Sequence, residues 1–337
     1  VAEQVERLVR EYEVHVYSNN VQDVDLHQIV WHRVPRLPGP HLFAYCWWFL
    51  ANHLWRWWDR RFRGLKFDLT YTPGINCFDA DVISVHIVFA EFVRRVRDAL
   101  KLTANPVGSW PRLLHRRIYY RLIIALERRI YGGKSALLTV ISAKVGRDLI
   151  RYGRSESQLS VIYYGIDTQR FSVSVRRKLR ASARHALDLH DGIFYLLLAG
   201  NDWKKKGLPC VLEALGRLAS GSFRLLVVGR DTVAPYRSSL ARLHLEDRVA
   251  FLPLRPDVEF YYAAADIYVG PSLEDAFALP PFEAMACGVP SIVSSQAGVS
   301  EVITEGVDGF ILEDPHDSGR LAELIDLLRG NEALREK

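Results

Sequence analysis

Cysteine, methionine and long apolar runs are what this sequence has little of. Its 337 residues include four cysteines and a single methionine. Cys46, Cys77, Cys210 and Cys287 stand apart with no C-x-x-C pair. That spacing argues against a zinc site or a disulfide framework and fits a reducing compartment. The longest apolar run, Leu42–Ala51, falls short of the roughly 20 residues that cross a bilayer. There are no internal repeats, no low-complexity tracts, and no G-x-S-x-G, H-E-x-x-H or Walker A pattern. No signal peptide is visible and there is no initiator Met. The chain opens on an amphipathic helical pattern, Val1, Val5, Leu8, Val9. In an α/β protein such a helix follows a strand, so a first strand is expected ahead of Val1. The lack of a targeting segment therefore carries little weight.

What is present is the composition of a globular protein, 49% hydrophobic and 25% charged. The length suits two domains of similar size. The net charge of +5 hides an asymmetry. Residues 1–180 hold 29 Lys and Arg against 16 Asp and Glu, whereas 181–337 hold 15 against 23. The first half is thus expected to face an anionic partner (a membrane surface, a lipid phosphate or a nucleic acid), unless it is merely a solvated basic face.

Along the first half, 1–10 reads as helix, and strands are expected at Glu13–Ser18, Gln28–Val34, Phe67–Tyr71, Val82–Val85, Leu137–Ile141 and Leu159–Tyr163. Leu42–Phe62 reads as a helix carrying Trp47, Trp48, Trp55, Trp57 and Trp58, followed by Arg60, Arg61 and Arg63. Aromatics beside arginines suit a membrane interface. The apolar first half of the segment favours instead a helix buried against the sheet. Residues 89–133 form a basic helical region broken near Asn105–Trp110, with Arg94, Arg95, Arg97 and Arg112 among its cations, and either lipid headgroups or solvent suit it. Ser142 is a good N-cap for the helix after it. Residues 172–190, rich in Arg and Ser, read as the linker.

The second half alternates more cleanly. Strands are expected at Phe194–Ala199, Phe223–Val228, Val249–Leu252, Ile267–Val269, Ser291–Val293 and Gly309–Leu312, with helices between them. Short apolar strands separated by helices imply a parallel sheet covered on both faces. Ligands of such sheets sit beyond the strand C-termini. Two loops are so placed, Gly200–Gly207 and Gly270–Pro281. The second belongs to the stretch GPSLEDAFALPPFEAMACGVP, in which Pro280-Pro281 start a helix that Gly288 ends. Asp275 and Glu283 then flank a helix N-terminus, a combination of carboxylates and amides suited to a sugar and a phosphate.

This stretch, from Pro271 to Pro290 and on to Gly298, Glu301 and Gly306–Leu312, resembles the retaining glycosyltransferases of family 4. The resemblance implies an α/β GT-B fold, two Rossmann-like domains with parallel sheets facing across a cleft. The domains would be 1–180, an acceptor-side domain whose first strand and Gly-rich loop precede Val1, and 181–337, a nucleotide-sugar domain whose final helix is cut short. By position Asp275 would contact donor-sugar hydroxyls and Glu283 the ribose. Asp is one methylene shorter than the family's usual Glu, and Glu274 lies one residue earlier. Ala276 and Ala278 stand where glycines are usual, restricting a loop that asks for positive φ; Phe277 and Leu279 complete the donor segment. Gly200, Asn201, Lys205 and Lys206 form the phosphate element, with Lys206 matching the family's lysine and Asn201 replacing its arginine, a charge left to Lys204 or Lys205. Lys206 would stabilise the departing diphosphate. His86, at a strand end, matches the family's histidine near the transferred sugar, and with Asp275 and Lys206 makes the catalytic set. Tyr164-Gly165-Ile166-Asp167 matches the segment that closes the first domain.

Asp79-Ala80-Asp81 is a D-x-D triplet in the wrong fold context for a metal. No metal and no cofactor are expected, the nucleoside-diphosphate sugar being the donor substrate. The acceptor is expected to be a glycan or a lipid-linked hydroxyl, with peripheral contact between the basic half and an anionic membrane, a cytoplasmic location and no nucleic acid. Two alternatives remain open: a nucleotide-sugar 2-epimerase of the same fold, although the first half offers no obvious carboxylate set, and a non-catalytic nucleotide-sugar-binding relative.

Overall fold

The computed structural model describes residues 2–95, 108, 110–133, 135–218 and 221–337. Val1, Arg97 and most of the expected break near Asn105–Trp110 lie outside the described residues. The chain forms two compact units, one running to residue 140 and including 146–160, the other made of 141–145 and 161–337.

The first unit begins with helix α1 (Ala2–Leu8) and a parallel pair, β1 (His15–Ser18) and β2 (Val30–Arg33). Helix α2 (His41–Phe62) follows. A second sheet runs β3 (Tyr71–Pro73), β4 (Val82–Val85), β5 (Leu137–Val140), β6 (Leu159–Val161), and its first three strands are parallel. Helices α3 (Phe89–Arg95), α4 (Trp110–Tyr131) and α5 (Ala143–Leu149) lie between the strands in sequence. Strand β3 starts where the sequence reading ended its strand, Phe67–Tyr71. The Thr70 amide is held by the Asp81 carboxylate at 2.7 Å, and only from Tyr71 does the backbone enter register with Val82.

The tryptophan helix α2 differs from its expected burial. Its buried positions are Ala51, Asn52, Arg56 and Asp59, while Trp55, Trp57 and Trp58 are exposed. It is anchored by polar groups. Arg56 makes a fork to Asp79 at 3.0 and 2.5 Å, and Asp59 accepts from Tyr17 at 2.7 Å and pairs with His32 at 2.9 Å. Two-pronged Arg–carboxylate contacts fix geometry as well as charge. The D-x-D triplet is thereby accounted for: Asp79 serves Arg56 and Arg60, and Asp81 holds the Thr70 amide.

In the second unit all six strands are parallel: β7 (Phe194–Ala199), β8 (Phe223–Val228), β9 (Val249–Leu252), β10 (Ile267–Gly270), β11 (Ser291–Ser294) and β12 (Gly309–Leu312). They are ordered β9-β8-β7-β10-β11-β12. This is the doubly wound 3-2-1-4-5-6 arrangement, and the winding reverses between β7 and β10. Leu196 and Leu198 pack into the core on one face of β7, and Tyr195 and Leu197 into the core on the other. Burial on both faces explains why these strands read as unbroken apolar runs. The helices are α6 (Val173–Ala186), α7 (Leu208–Arg217), α8 (Arg237–Leu243), α9 (Glu259–Ala264), α10 (Leu279–Ala286), α11 (Ser318–Gly330) and α12 (Glu332–Glu336).

The segment read as a linker, 172–190, is mostly α6, and the units part near residue 160 rather than 180. Its arginines are spaced for one helix face. Arg176 donates to the carbonyls of Gly288 and Ala265, Arg180 to those of Ala263 and Ala265, and Arg184 to that of Ala264, with both Arg180 and Arg184 paired to Asp266. They satisfy the carbonyls that end α9, which no α-helix satisfies for itself.

Candidate functional site

The reversal point between β7 and β10 is where two loops meet. The loop after β7 carries Gly200, Asn201, Lys205 and Lys206; the loop after β10 carries Glu274–Ala278. Their backbones touch. The amide of Leu273 donates to the carbonyl of Lys205 at 2.8 Å. Gly207 has a φ of 85°, and a Cβ there would lie 2.1 Å from the carbonyl oxygen of Pro271, so only glycine fits. The pattern of small and turn-forming residues that marked both loops thus serves their close approach.

Side chains complete the junction. Lys206 Nζ donates to Asp275 Oδ2 at 2.5 Å, with each side chain about one-fifth exposed. The other Asp275 oxygen accepts from the Phe277 amide at 3.1 Å, which curls the loop back on itself. Phe277 is buried against Tyr163 and Tyr164. Asn201 does not carry the missing charge. Its Oδ1 accepts from the Arg230 amide at 2.8 Å and so brings the loop after β8 alongside. Arg230 is exposed there, a cation the sequence reading passed over. Its signal was the Gly229-Arg230 pair immediately beyond an apolar strand. Lys205 is paired with Asp202 at 3.4 Å, and Lys204 is exposed.

Helix α10 opens with Leu279, Pro280, Pro281 and Phe282. Its first four amides are the ones left without helical partners, and two of them are prolines with no N–H. The expected amide cradle is therefore halved. Of the two alanines at glycine positions, Ala278 has positive φ, 72°, whereas Ala276 does not. The strain expected of the loop is concentrated at one residue.

Glu283 lies one turn into α10 and is half-buried. Burial pushes its carboxyl above the ordinary range, and a hydrogen bond from the Tyr262 hydroxyl at 2.6 Å opposes that rise. Tyr262, also missed in the sequence, fixes the orientation of this carboxylate from α9.

His86 follows β4 in the first unit and is described with it. Its Nε2 lies 3.3 Å from the Ser84 hydroxyl, and burial lowers its pKa, so the ring is neutral at pH 7. It lines a cavity of about 250 Å³ with Tyr45, Gly74, Ile75, Phe89 and Tyr119. That cavity lies beyond the C-terminal ends of β3 and β4, the ligand side of a parallel sheet. Among the described residues, no group of three His, Cys, Asp or Glu side chains is arranged to hold a metal.

Residues 1–170 match the family model described as Glycosyltransferase Family 4, and residues 180–337 match that described as Glycosyl transferases group 1. The chain belongs to glycosyltransferase family 4. Among the relatives of this family 4 chain is a D-inositol 3-phosphate glycosyltransferase of Pseudarthrobacter chlorophenolicus, 28% identical over 218 residues, which cover 62% of this chain and 51% of that protein. One of the same name from a Mycobacterium species is 32% identical over 193 residues, covering 53% and 42%. The chain spans about half the length of the curated relatives it matches. Among solved structures, WaaG, a glycosyltransferase involved in lipopolysaccharide biosynthesis, superimposes with a TM-score of 0.77 at 22% identity, covering 99% of this chain and 86% of that one. Anabaena HepE in complex with UDP-glucose gives 0.64 at 20% identity, covering 99% and 73%. The fold is GT-B, as the resemblance implied.

Proposed function

We propose that this family 4 chain is a retaining glycosyltransferase, moving a sugar from a nucleoside-diphosphate donor to a hydroxyl acceptor. The observation that carries the reading is the Lys206–Asp275 pair at the reversal point of a doubly wound sheet, with Glu283 one turn into the helix that follows the Asp275 loop. In this reading Lys206 is the switch of the site. Without donor it neutralises Asp275. With donor it turns to the diphosphate, whose charge grows as the glycosidic bond breaks, and Asp275 is released to accept from sugar hydroxyls. Glu283 accepts from the ribose. Neutral His86 would exchange a hydrogen bond with a sugar or acceptor hydroxyl in this reading. The nucleoside diphosphate leaves with the bonding electrons, and its phosphate oxygen takes the acceptor proton. No metal is required in this scheme, so chelation leaves turnover unchanged.

The deciding experiment is turnover across a panel of nucleotide sugars, comparing the natural chain with Glu283→Ala and Lys206→Ala. Loss in both supports the assignment, and unchanged turnover in both overturns it. The epimerase alternative predicts an isomerised donor with no acceptor added. The binding-protein alternative predicts calorimetric binding without turnover.

The acceptor side carries a second element of the proposal, peripheral contact with an anionic membrane. Phe43, Leu50, Trp57, Trp58 and Phe62 of α2 are each more than half exposed, and the C-terminal end of the helix carries Arg60, Arg61 and Arg63. Such a face suits the headgroup boundary. Among the described residues no helix is long and apolar enough to cross a membrane. Co-sedimentation with phosphatidylserine vesicles at low salt tests the contact, and no pelleting would remove it.

A further inference from the structure

The loop that bears Asp275 is held at almost every residue. The Asp275 amide donates to the Gln296 carbonyl at 3.1 Å, the Gly298 amide to the Asp275 carbonyl at 3.2 Å, and the Val299 amide to the Phe277 carbonyl at 2.7 Å. These contacts make a parallel bridge between Asp275 and Ala297. One carbonyl between them, that of Ala276, takes its hydrogen bond from elsewhere: the Ser142 hydroxyl donates to it at 2.7 Å.

Ser142 belongs to the short stretch 141–145 that groups with the second unit, although sequence on both sides of it groups with the first. It is fully buried and also accepts from the Val145 amide at 3.2 Å, so both roles of its hydroxyl are engaged. What keeps this stretch in place is Glu301. Its two carboxylate oxygens accept, at 2.7 Å each, from the amides of Ala143 and Lys144, and the Lys144 ammonium donates to the Gln296 carbonyl. The close approach needs glycine at 298, where a Cβ would lie 2.2 Å from the Ala276 oxygen and 2.8 Å from Ser142 Cβ. Such charge-assisted bonds to paired amides are strong and directional. Two residues beyond Ala276, the loop reaches the strained Ala278.

We propose that Ser142 and Glu301 are positioning residues for Asp275, a clamp that sets the pitch of the 274–278 loop through the Ala276 carbonyl. The inference rests on the reading of Asp275 and Lys206 as donor-sugar and diphosphate contacts. Neither clamp residue is itself a candidate donor contact: the Ser142 hydroxyl is engaged by the Ala276 carbonyl and the Val145 amide, and the Glu301 oxygens accept from the Ala143 and Lys144 amides, Oε2 also from the Tyr163 hydroxyl at 3.4 Å. Their effect reaches the site only by holding the loop against the Gln296–Val299 segment. Losing the clamp leaves the nucleoside portion of the site, built around Glu283 on α10, in place.

The test compares the natural chain with Ser142→Ala, Ser142→Thr and Glu301→Ala by three readouts: amide hydrogen exchange over 272–279, calorimetric affinity for UDP alone, and turnover of UDP-glucose and the other nucleotide sugars of the panel. Ser142→Ala and Glu301→Ala are expected to exchange faster over 272–279 and to lose roughly tenfold to a hundredfold in kcat, the scale of an ångström-level misplacement. UDP affinity is expected to change less than about twofold, because a uniform binding loss would be the mark of a different role. Ser142→Thr, which keeps the hydroxyl, restores exchange protection and recovers most of the loss. Unchanged exchange in Ser142→Ala overturns the clamp. Faster exchange with unchanged kcat overturns its positioning role, as does a kcat loss matched by an equal loss of UDP affinity. Absence of turnover in the natural chain across the whole panel would overturn the proposed function instead, and exchange over 272–279 would still decide whether the clamp holds the loop.

Discussion

Removing the Lys206 ammonium separates what the Lys206–Asp275 pair does for the fold from what it does for chemistry. The two groups are 2.5 Å apart and each is about one-fifth exposed. An exposed pair contributes up to about 1 kcal/mol, and breaking a fully buried one by removing a partner costs about 3–5 kcal/mol. This pair lies between those limits, so Lys206→Ala is expected to destabilise the second unit by about 1–2 kcal/mol, largely because Asp275 is left charged and partly desolvated. Asp275→Asn in the same background removes that charge, and the double variant should regain most of the lost stability. Activity follows the opposite logic. If Lys206 meets the charge that develops on the departing diphosphate, its loss costs about 10²–10³ in kcat, the effect of losing one preorganised donor to a developing anion. The double variant gains nothing back, because the lysine is still absent and a sugar contact has been altered as well. The assay is nucleoside-diphosphate release under saturating donor, read beside urea denaturation of the natural chain, Lys206→Ala and the double variant. Recovery of turnover together with stability in the double variant would refute the reasoning. It would show that the lysine acts only as the structural partner of Asp275.

Three other outcomes follow from the same geometry. Ala278 sits at φ 72°, so Ala278→Gly should stabilise the second unit by about 1 kcal/mol, less the entropy that glycine adds to the unfolded chain; denaturant titration that shows a loss instead would mean the loop is unstrained. Glu283 has its pKa raised by burial, so its ionised form, the one that would accept from a ribose in the proposed reading, is lost on acidification at a higher pH than for an ordinary carboxylate. The donor KM should therefore rise as pH falls through that raised pKa, and Glu283→Gln should flatten the dependence. For stability the sign is reversed: the native state favours the protonated carboxyl, so Glu283 contributes most at low pH, and that contribution is lost as pH rises through its folded-state pKa. Tyr262→Phe removes the hydrogen bond that favours the ionised form, and should move the donor KM profile further toward neutral pH; an unmoved profile would assign the titration to another group.

Legibility in the sequence tracked the range of the interaction. The inner strands of the second unit, β7, β8, β10 and β11, were readable because each is buried on both faces, so its apolar run records its whole environment. The two site loops were readable for a related reason: they follow strands β7 and β10, and glycine and proline mark the turns. What could not be read was set by partners distant in sequence. Arg176, Arg180 and Arg184 looked like linker residues because nothing local shows that their guanidiniums end on the carbonyls of 263–265, 80 to 89 residues later. Helix α2 looked buried because its first half is apolar, yet it is docked by Arg56 and Asp59, whose partners lie on other segments. Ser142 read correctly as an N-cap from its own neighbourhood. Its second bond, to a carbonyl 134 residues away, is invisible at that scale. The same holds within the site itself. Asp275 beside two alanines reads as a weakened version of the family loop when only adjacent residues are weighed. In three dimensions that loop is bridged to Ala297, paired to Lys206 and clamped by Ser142, so the missing glycines are offset by contacts from three separate parts of the chain. If Asp275 contacts the donor sugar, a shorter acid on a firmly held loop should select for a donor whose sugar hydroxyl reaches inward to it. Donor choice in this chain should therefore respond to changes at 142, 206 and 297–301 as much as to changes at 275 itself.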